Sequence, residues 1–344
     1  MLFRSLRELI PVLAAREEVL CYEYENEMVY PPMAWCRDTA AFLRSIDPHT
    51  LILGNPGPHD WPEPLRWREA GCDLFSYHPY NDGEPSADHG AIILLRSKFA
   101  AQSGLPFYTG EGGLNQNRWQ KGAKQMGPQL AARGTRDQIW MSVCSGAIGC
   151  LYWTLGIDRE AQEFASVKPA LDALGLDLPT LKRQRPPVAL ALPPAARDRR
   201  DAALAMRLLD LGADFDTVTT NEAAAYAVRL VPGERTPDSL DLPATVARPA
   251  AGWQIATLVS DSGDRALLYL RNVAGGVKDF GAPPRPCHLR DVRPAEAAFA
   301  LRGAWRSVTA FDLDARQARA AQPDASGRVT LGTTDHDFLI GLRR

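Results

Sequence analysis

Apolar and polar positions change their period several times along the chain. Leu2, Leu6, Leu9, Ile10 and Leu13 recur at helical spacing and predict an amphipathic helix at the start. From there to about residue 160, short apolar runs at 19–25, 50–54, 74–78, 105–109 and 149–153 alternate with helical stretches at 34–46, 90–103 and 135–145. Short buried strands separated by helices imply parallel βαβ units, an α/β fold. Near residue 180 a Pro- and Arg-rich stretch surrounds a predicted strand at 188–192. A helix at 202–211, closed by Gly212, and strands at 216–219 and 227–231 make this a small α/β unit, and residues 232–252 read as a second linker. From Trp253 the period becomes two. Strands are expected at 255–259, 266–270, 305–311, 328–331 and 337–342, the first two joined by Asp261-Ser262-Gly263-Asp264. Such strands with polar turns predict a C-terminal β-sandwich. The expected domains are 1–180, 181–250 and 251–344.

Bulk properties narrow the function classes. At 344 residues the chain exceeds one ordinary core. Its formal net charge is -2 and its arginines are dispersed, which argues against a nucleic-acid partner. No apolar run approaches the ~20 residues that span a bilayer, so no membrane partner is expected. Arg4, Arg7, Glu8, Arg16, Glu17 and Glu18 interrupt the first helix and separate it from a signal peptide. The six cysteines form no CxxC pair and no zinc-spaced cluster with histidine. They read as free thiols in a reducing compartment, which favours the cytoplasm, and no metal or cofactor is expected.

The candidate chemistry sits at strand ends, where α/β sheets and barrels build their sites. In Tyr22-Glu23-Tyr24-Glu25-Asn26-Glu27, alternation puts Glu23 and Glu25 on one face and the tyrosines on the other. Glu27, at the strand's end, can point into a cleft, and Asn26 beside it can hydrogen-bond a sugar hydroxyl. In Tyr108-Thr109-Gly110-Glu111-Gly112-Gly113 a lone glutamate follows a short strand, and the glycines leave room for a substrate. Retaining glycoside hydrolysis needs two carboxyl groups ~5–5.5 Å apart, and both glutamates can reach one rim of a parallel barrel. Between them, Ser76-Tyr77-His78-Pro79-Tyr80 ends a strand, where a tyrosine can donate to the nucleophile carboxylate and keep it ionised. Trp153 at the last strand end is a candidate sugar-stacking platform. No GxGxxG follows a strand, and no GxSxG occurs.

Four of these pieces resemble the clan of (β/α)8 retaining glycoside hydrolases whose catalytic glutamates end strands four and seven. The matches are Tyr24-Glu25-Asn26-Glu27 (strand four), His78-Pro79-Tyr80 (six), Thr109-Gly110-Glu111-Gly112 (seven) and Tyr152-Trp153 (eight). The resemblance implies a β-glycosidase with a carbohydrate substrate, Glu111 as nucleophile and Glu27 as acid/base, and Asn26, His78, Tyr80 and Trp153 on the substrate. It also implies an amidotransferase-like unit within 187–232, and it likens the run 304–314 and the ending Asp335-His336-Asp337-Phe338 to an appended β-sandwich. Counted from Glu27, the barrel holds only strands four to eight. A closed barrel takes ~250 residues, whereas this region has about 160. The expectation is an N-terminally truncated barrel, its open edge covered by a second copy in a homo-oligomer, with any export signal lost alongside the missing strands. The alternative is a catalytically inactive, carbohydrate-binding remnant that keeps Tyr80, Trp119 and Trp153.

Overall fold

The computed structural model describes residues 2–26, 31–55, 65–79, 88–113, 127–151, 158–192, 199–211, 213–219, 222–231, 246–280 and 287–344. The first part runs α1 (Leu2–Ala14), β1 (Cys21–Glu23), α2 (Met33–Ile46), β2 (Leu51–Gly54), α3 (Leu65–Glu69), β3 (Leu74–Tyr77), α4 (His89–Ala101), β4 (Phe107–Thr109), α5 (Pro128–Cys144) and α6 (Asp158–Leu174). Strands β1 to β4 pair in parallel and in sequence order, and a parallel bridge from Thr109 to Cys150 continues the sheet. Parallel pairing puts all four carboxyl ends on one side. Among the described residues the sheet does not close into a barrel.

One face of this sheet is covered by α1, α2 and α3, with Ile10, Cys36, Leu43, Ile52, Trp67 and Phe75 in a common core. The first helix departs from expectation. Ile10 is buried and Leu6 and Leu13 pack against the core, but Leu9 is 50% exposed and Val12 60%. Helix α4 is apolar around its whole circumference from Ala91 to Leu95, which suits a helix buried on all sides. It contacts β3, β4 and α5 on one side, and elements of the next unit on the other.

After β5 (Leu181–Lys182), which joins the antiparallel part by pairing with β10 (Trp253–Ser260), that next unit comprises β6 (Val188–Leu192), α7 (Arg199–Asp210), β7 (Phe215–Thr219) and β8 (Val228–Leu230). Strands β6 to β8 form a parallel sheet of order β7-β6-β8, and α4 packs on α7 and β7.

The remainder is antiparallel: β9 (Ala247–Pro249), β10 (Trp253–Ser260), β11 (Arg265–Asn272), β12 (Val277–Asp279), β13 (His288–Arg290), β14 (Ala295–Leu301), β15 (Ser307–Asp312), β16 (Gln317–Ala321), β17 (Arg328–Thr334) and β18 (Phe338–Arg343). A six-stranded sheet of order β16-β15-β18-β11-β10-β5 and a three-stranded sheet of order β17-β14-β9 share a core containing Trp253, Leu268, Phe299, Val329 and Phe338. The opposite face of the larger sheet, through Leu258, Leu267 and Leu339, joins the core that α4, α5, α6 and β6 also fill.

Charge reinforces that junction. Arg271 on β11 is wholly buried and donates to Asp137 of α5 at 2.7 Å and to Asp88 at 2.9 Å. Asp88 also caps α4 by accepting from the Ala91 amide at 3.0 Å. Arg136 of α5 pairs with Glu163 of α6 at 2.7 Å. All six cysteines are free thiols. Among the described residues, no helix is long and apolar enough to cross a membrane.

Candidate active site

The carboxyl ends of β1 to β4 open onto a cleft of about 450 Å³, lined by Glu23, Glu25, Asn26, Asn55, His78 and Glu111, among others. Each residue arrives by the same logic. A strand ends, and within the next one to three residues a polar side chain projects past the rim. Asn26 comes from β1, Asn55 from β2, His78 from β3 and Glu111 from β4.

Strand β1 ends at Glu23, so alternation sorts only part of the run: Tyr22 turns to the helix side, whereas Tyr24 lines the cleft with Glu23 and Glu25. Tyr22 is buried on the helix side, where its hydroxyl donates to Asp47 at 2.8 Å. Tyr24 stacks edge-on against Trp35, with centroids 5.6 Å apart. Glu23 and Glu25 line the cleft, but in different settings: Glu23 is exposed and Glu25 buried. Burial raises the Glu25 carboxyl to about 8, with the Glu23 charge adding to the shift and the Asn55 amide opposing it. A buried carboxyl beside another carboxylate stays protonated at neutral pH, because burial disfavours its ionised form.

Asn55 is the hub, and sequence reasoning missed it. It lies in an Asn-Pro-Gly stretch that reads as a turn. Its side chain is buried, and its amide nitrogen contacts Glu23, the Asn26 side-chain oxygen at 2.9 Å and His78 Nε2 at 3.1 Å. Its backbone N–H donates to Glu25 Oε1 at 3.3 Å. Two amide protons thus serve three acceptors drawn from two strand ends. The available signal was a polar residue directly after a short apolar run.

His78 is buried, and the Arg96 guanidinium donates to its carbonyl at 3.2 Å. Its ring Nδ1 stands 3.7 Å from Glu111 Oε2. The neighbouring Tyr77 does not serve Glu111. Its hydroxyl turns to the helix side, where it contacts Ser97 and accepts from Thr109 at 3.1 Å. Tyr108 lines the cleft instead, its phenol raised to about 12 by burial and by the nearby Cys21 and Glu23.

The glycines around Glu111 make room for protein rather than for substrate. A Cβ on Gly110 would overlap the Ser76 hydroxyl, and one on Gly112 would overlap the buried Gln138 amide of α5. Both therefore let the loop bearing Glu111 lie close against β3 and α5.

The structure brings Asn26, His78 and Glu111 together in one cleft. Glu27, Tyr80 and Trp153 lie outside the described residues, as does Trp119. For a metal, one described cluster brings Asp312, Asp314 and His336 together, with ligand atoms within 4.8 Å of one another. Its charges are already engaged: His336 pairs with Asp312 at 2.9 Å, and Arg136 with Asp314 at 2.7 Å. It lies among β15, β18 and α5, and none of its members lines the cleft.

No protein-family model and no curated protein matches the sequence. Solved structures do match by shape. The β-galactosidase of Bacillus circulans sp. alkalophilus aligns with 91% of this chain and 66% of its own, at 10% identity and a TM-score of 0.57. A β-galactosidase from Rahnella sp. R3 aligns over the same shares at 11% identity and a TM-score of 0.48. A glycoside hydrolase family 5 protein from Bacteroides vulgatus ATCC 8482 aligns with 99% of this chain and 66% of its own, at 13% identity and a TM-score of 0.47. The chain thus spans 66% of the length of each. At these identities the likeness is one of fold: this is an α/β chain that shares its fold with the Bacillus circulans β-galactosidase.

Proposed function

We propose that the chain is a retaining glycoside hydrolase acting on a β-linked glycoside, with Glu111 as nucleophile and Glu27 as acid/base. In this reading β1 to β4 correspond to barrel strands four to seven and the segment at Cys150 to strand eight. Residues 1–180 form a partial barrel, 181–250 a small α/β unit and 251–344 a β-sandwich. The observation that carries the proposal is the convergence of Asn26, from the end of β1, and Glu111, from the end of β4, on one cleft through Asn55 and His78.

The chemistry follows in two displacements. The Glu111 carboxylate attacks the anomeric carbon. The bond to the leaving oxygen breaks, and that oxygen takes the proton of Glu27. Water then gives a proton to Glu27 and adds to the anomeric carbon, which releases Glu111. Asn26 is assigned to a sugar hydroxyl, and Tyr80 and Trp153 to the sugar faces. Glu25 stays protonated at neutral pH, which keeps a further negative charge away from the two working carboxylates.

The experiment is hydrolysis of a panel of aryl β-glycosides, including the galactoside, with the anomer of the first-formed product followed by NMR. A β-anomer product, with turnover lowered at least ~10⁴-fold in Glu111→Gln and ~10²–10⁴-fold in Glu27→Gln, supports the reading. An α-anomer first product would overturn it. The competing reading is a carbohydrate-binding protein without turnover. It is favoured by the sheet's open edge among the described residues and by the exposure of Leu151, which lines the cleft. Saturable sugar binding with no release of aryl alcohol would select it.

A further inference from the structure

A second cavity, of about 370 Å³, lies between the last turn of α4, β7 and the segment after β5. Helix α4 follows β3 and runs back antiparallel to the strands, so its C-terminal turn sits at the opposite end of the sheet from the cleft. The two cavities share no lining residue.

Cations dominate the walls. Lys98 is almost fully buried and pairs with Asp214 at 2.9 Å, above the Phe215 ring at 5.0 Å. Arg183 pairs with Asp216, and its buried Nε has no hydrogen-bond partner among the described residues. The Arg185 guanidinium stacks on Tyr226 at 4.2 Å, and the Tyr226 hydroxyl is fixed by donating to Asp216 at 2.6 Å. Three cations therefore face two carboxylates. Asp214 takes one of the three ammonium protons of Lys98. Burial, together with the like charge of Arg183, lowers Lys98 to about 8 despite Asp214. A cavity that crowds a buried ammonium against two guanidinium groups, with donors left over, is complementary to an anion. A tetrahedral oxyanion would neutralise the excess charge and engage the free donors.

We propose that the cavity formed by Lys98, Arg183, Arg185 and Tyr226 binds a small oxyanion, as free sulfate or phosphate or as the phosphate of a phosphomonoester. Arg185 closes the site from the solvent side, held over Tyr226, while Lys98 and Arg183 supply the fixed charge at its floor. The proposal is independent of the glycosidase reading, because no residue of the cleft takes part.

The test is isothermal titration of the full chain with sodium sulfate, glucose 6-phosphate and glucose. Saturable binding of sulfate and glucose 6-phosphate, with none of glucose, is expected. Tighter binding of glucose 6-phosphate than of sulfate assigns the site to a phosphomonoester, and equal affinity assigns it to the free ion. Removing one charged donor weakens binding roughly tenfold or more, and this is expected for Arg185→Gln, an exposed position whose loss leaves the core intact. Glu111→Gln is expected to bind the anion as the parent does. Absence of saturable binding by sulfate and glucose 6-phosphate, or affinity unchanged in both Arg185→Gln and Arg183→Gln, would overturn the proposal.

Discussion

His78 Nδ1 lies 3.7 Å from Oε2 of Glu111, and the other ring nitrogen lies 3.1 Å from the Asn55 amide nitrogen. The Asn55 amide nitrogen can only donate, so in that hydrogen bond Nε2 accepts, and Nδ1 is the ring nitrogen that faces the carboxylate. The side chain of His78 is 1% exposed and that of Glu111 25%, so the ring is a fixed partner for a more accessible carboxylate. Replacing His78 by Phe keeps the ring's bulk and removes the dipole. Turnover of an aryl glycoside is expected to fall ~10–100-fold, with KM little changed, the cost of one lost polar contact to a charged group. Unchanged kcat in the Phe variant would detach His78 from the chemistry.

Asn55 ties three strand ends together, so its loss should be felt in stability as well as activity. Asn55→Ala leaves Glu23, Asn26 and His78 without their shared donor. A loss of ~1–3 kcal/mol in urea unfolding is expected, the usual cost of leaving buried polar groups unsatisfied. A loss near zero would mean that the network forms without consequence.

Glu25 predicts a pH dependence with a definite sign. Its folded carboxyl titrates near 8 and an unperturbed glutamate near 4.5. Between those values the folded chain holds a proton that the unfolded chain has released. The protonated group's contribution is therefore full below about 4.5 and is lost as the pH rises toward 8. Glu25→Gln removes this dependence. Its stability relative to the parent is expected to grow from pH 5 to pH 8 and then level off, as read by urea unfolding at pH 5, 7 and 9. Parallel curves for the two proteins would contradict the assignment.

Arg271 predicts the largest single loss away from the cleft. Its guanidinium serves Asp88, Asp137 and Gln254 in a fully buried setting. Arg271→Met leaves those carboxylates buried with less compensation, although Arg290 still reaches Asp88 at 2.6 Å. The expected cost is ~3–5 kcal/mol, as for removal of one member of a buried ion pair. A cost below ~1 kcal/mol, within the range of an exposed pair, would contradict the view that this arginine joins β11 to α4 and α5.

The strands that carry the cleft were legible because they are short, apolar and bounded by turn residues, as in Leu51-Ile52-Leu53-Gly54. Elements whose local propensity opposes their structure were not. Ala295–Leu301 is rich in alanine, a helical composition, yet it is a strand because β17 and β9 pair with it on either side. Helix α6 contains Pro169, which discourages a helical reading even though the flanking residues pack well. In the cleft, Asn26, His78 and Glu111 announced themselves by type and position. Asn55 did not, since its role comes from three acceptors supplied by other strands. Nor did the contrast between Glu23 and Glu25. Alternation predicts one face for both, but the strand ends at Glu23, and the chain beyond it buries Glu25 while Glu23 stays exposed.

Glu111 as the covalent nucleophile is tested most directly by trapping. The chain would be incubated with an activated 2-deoxy-2-fluoro β-glycoside, which slows release of the glycosyl–enzyme, then digested and mapped by mass spectrometry. One sugar adduct is expected, on Glu111, and none in Glu111→Gln. An adduct on a different carboxylate, or aryl-glycoside hydrolysis that persists in Glu111→Gln, would contradict it.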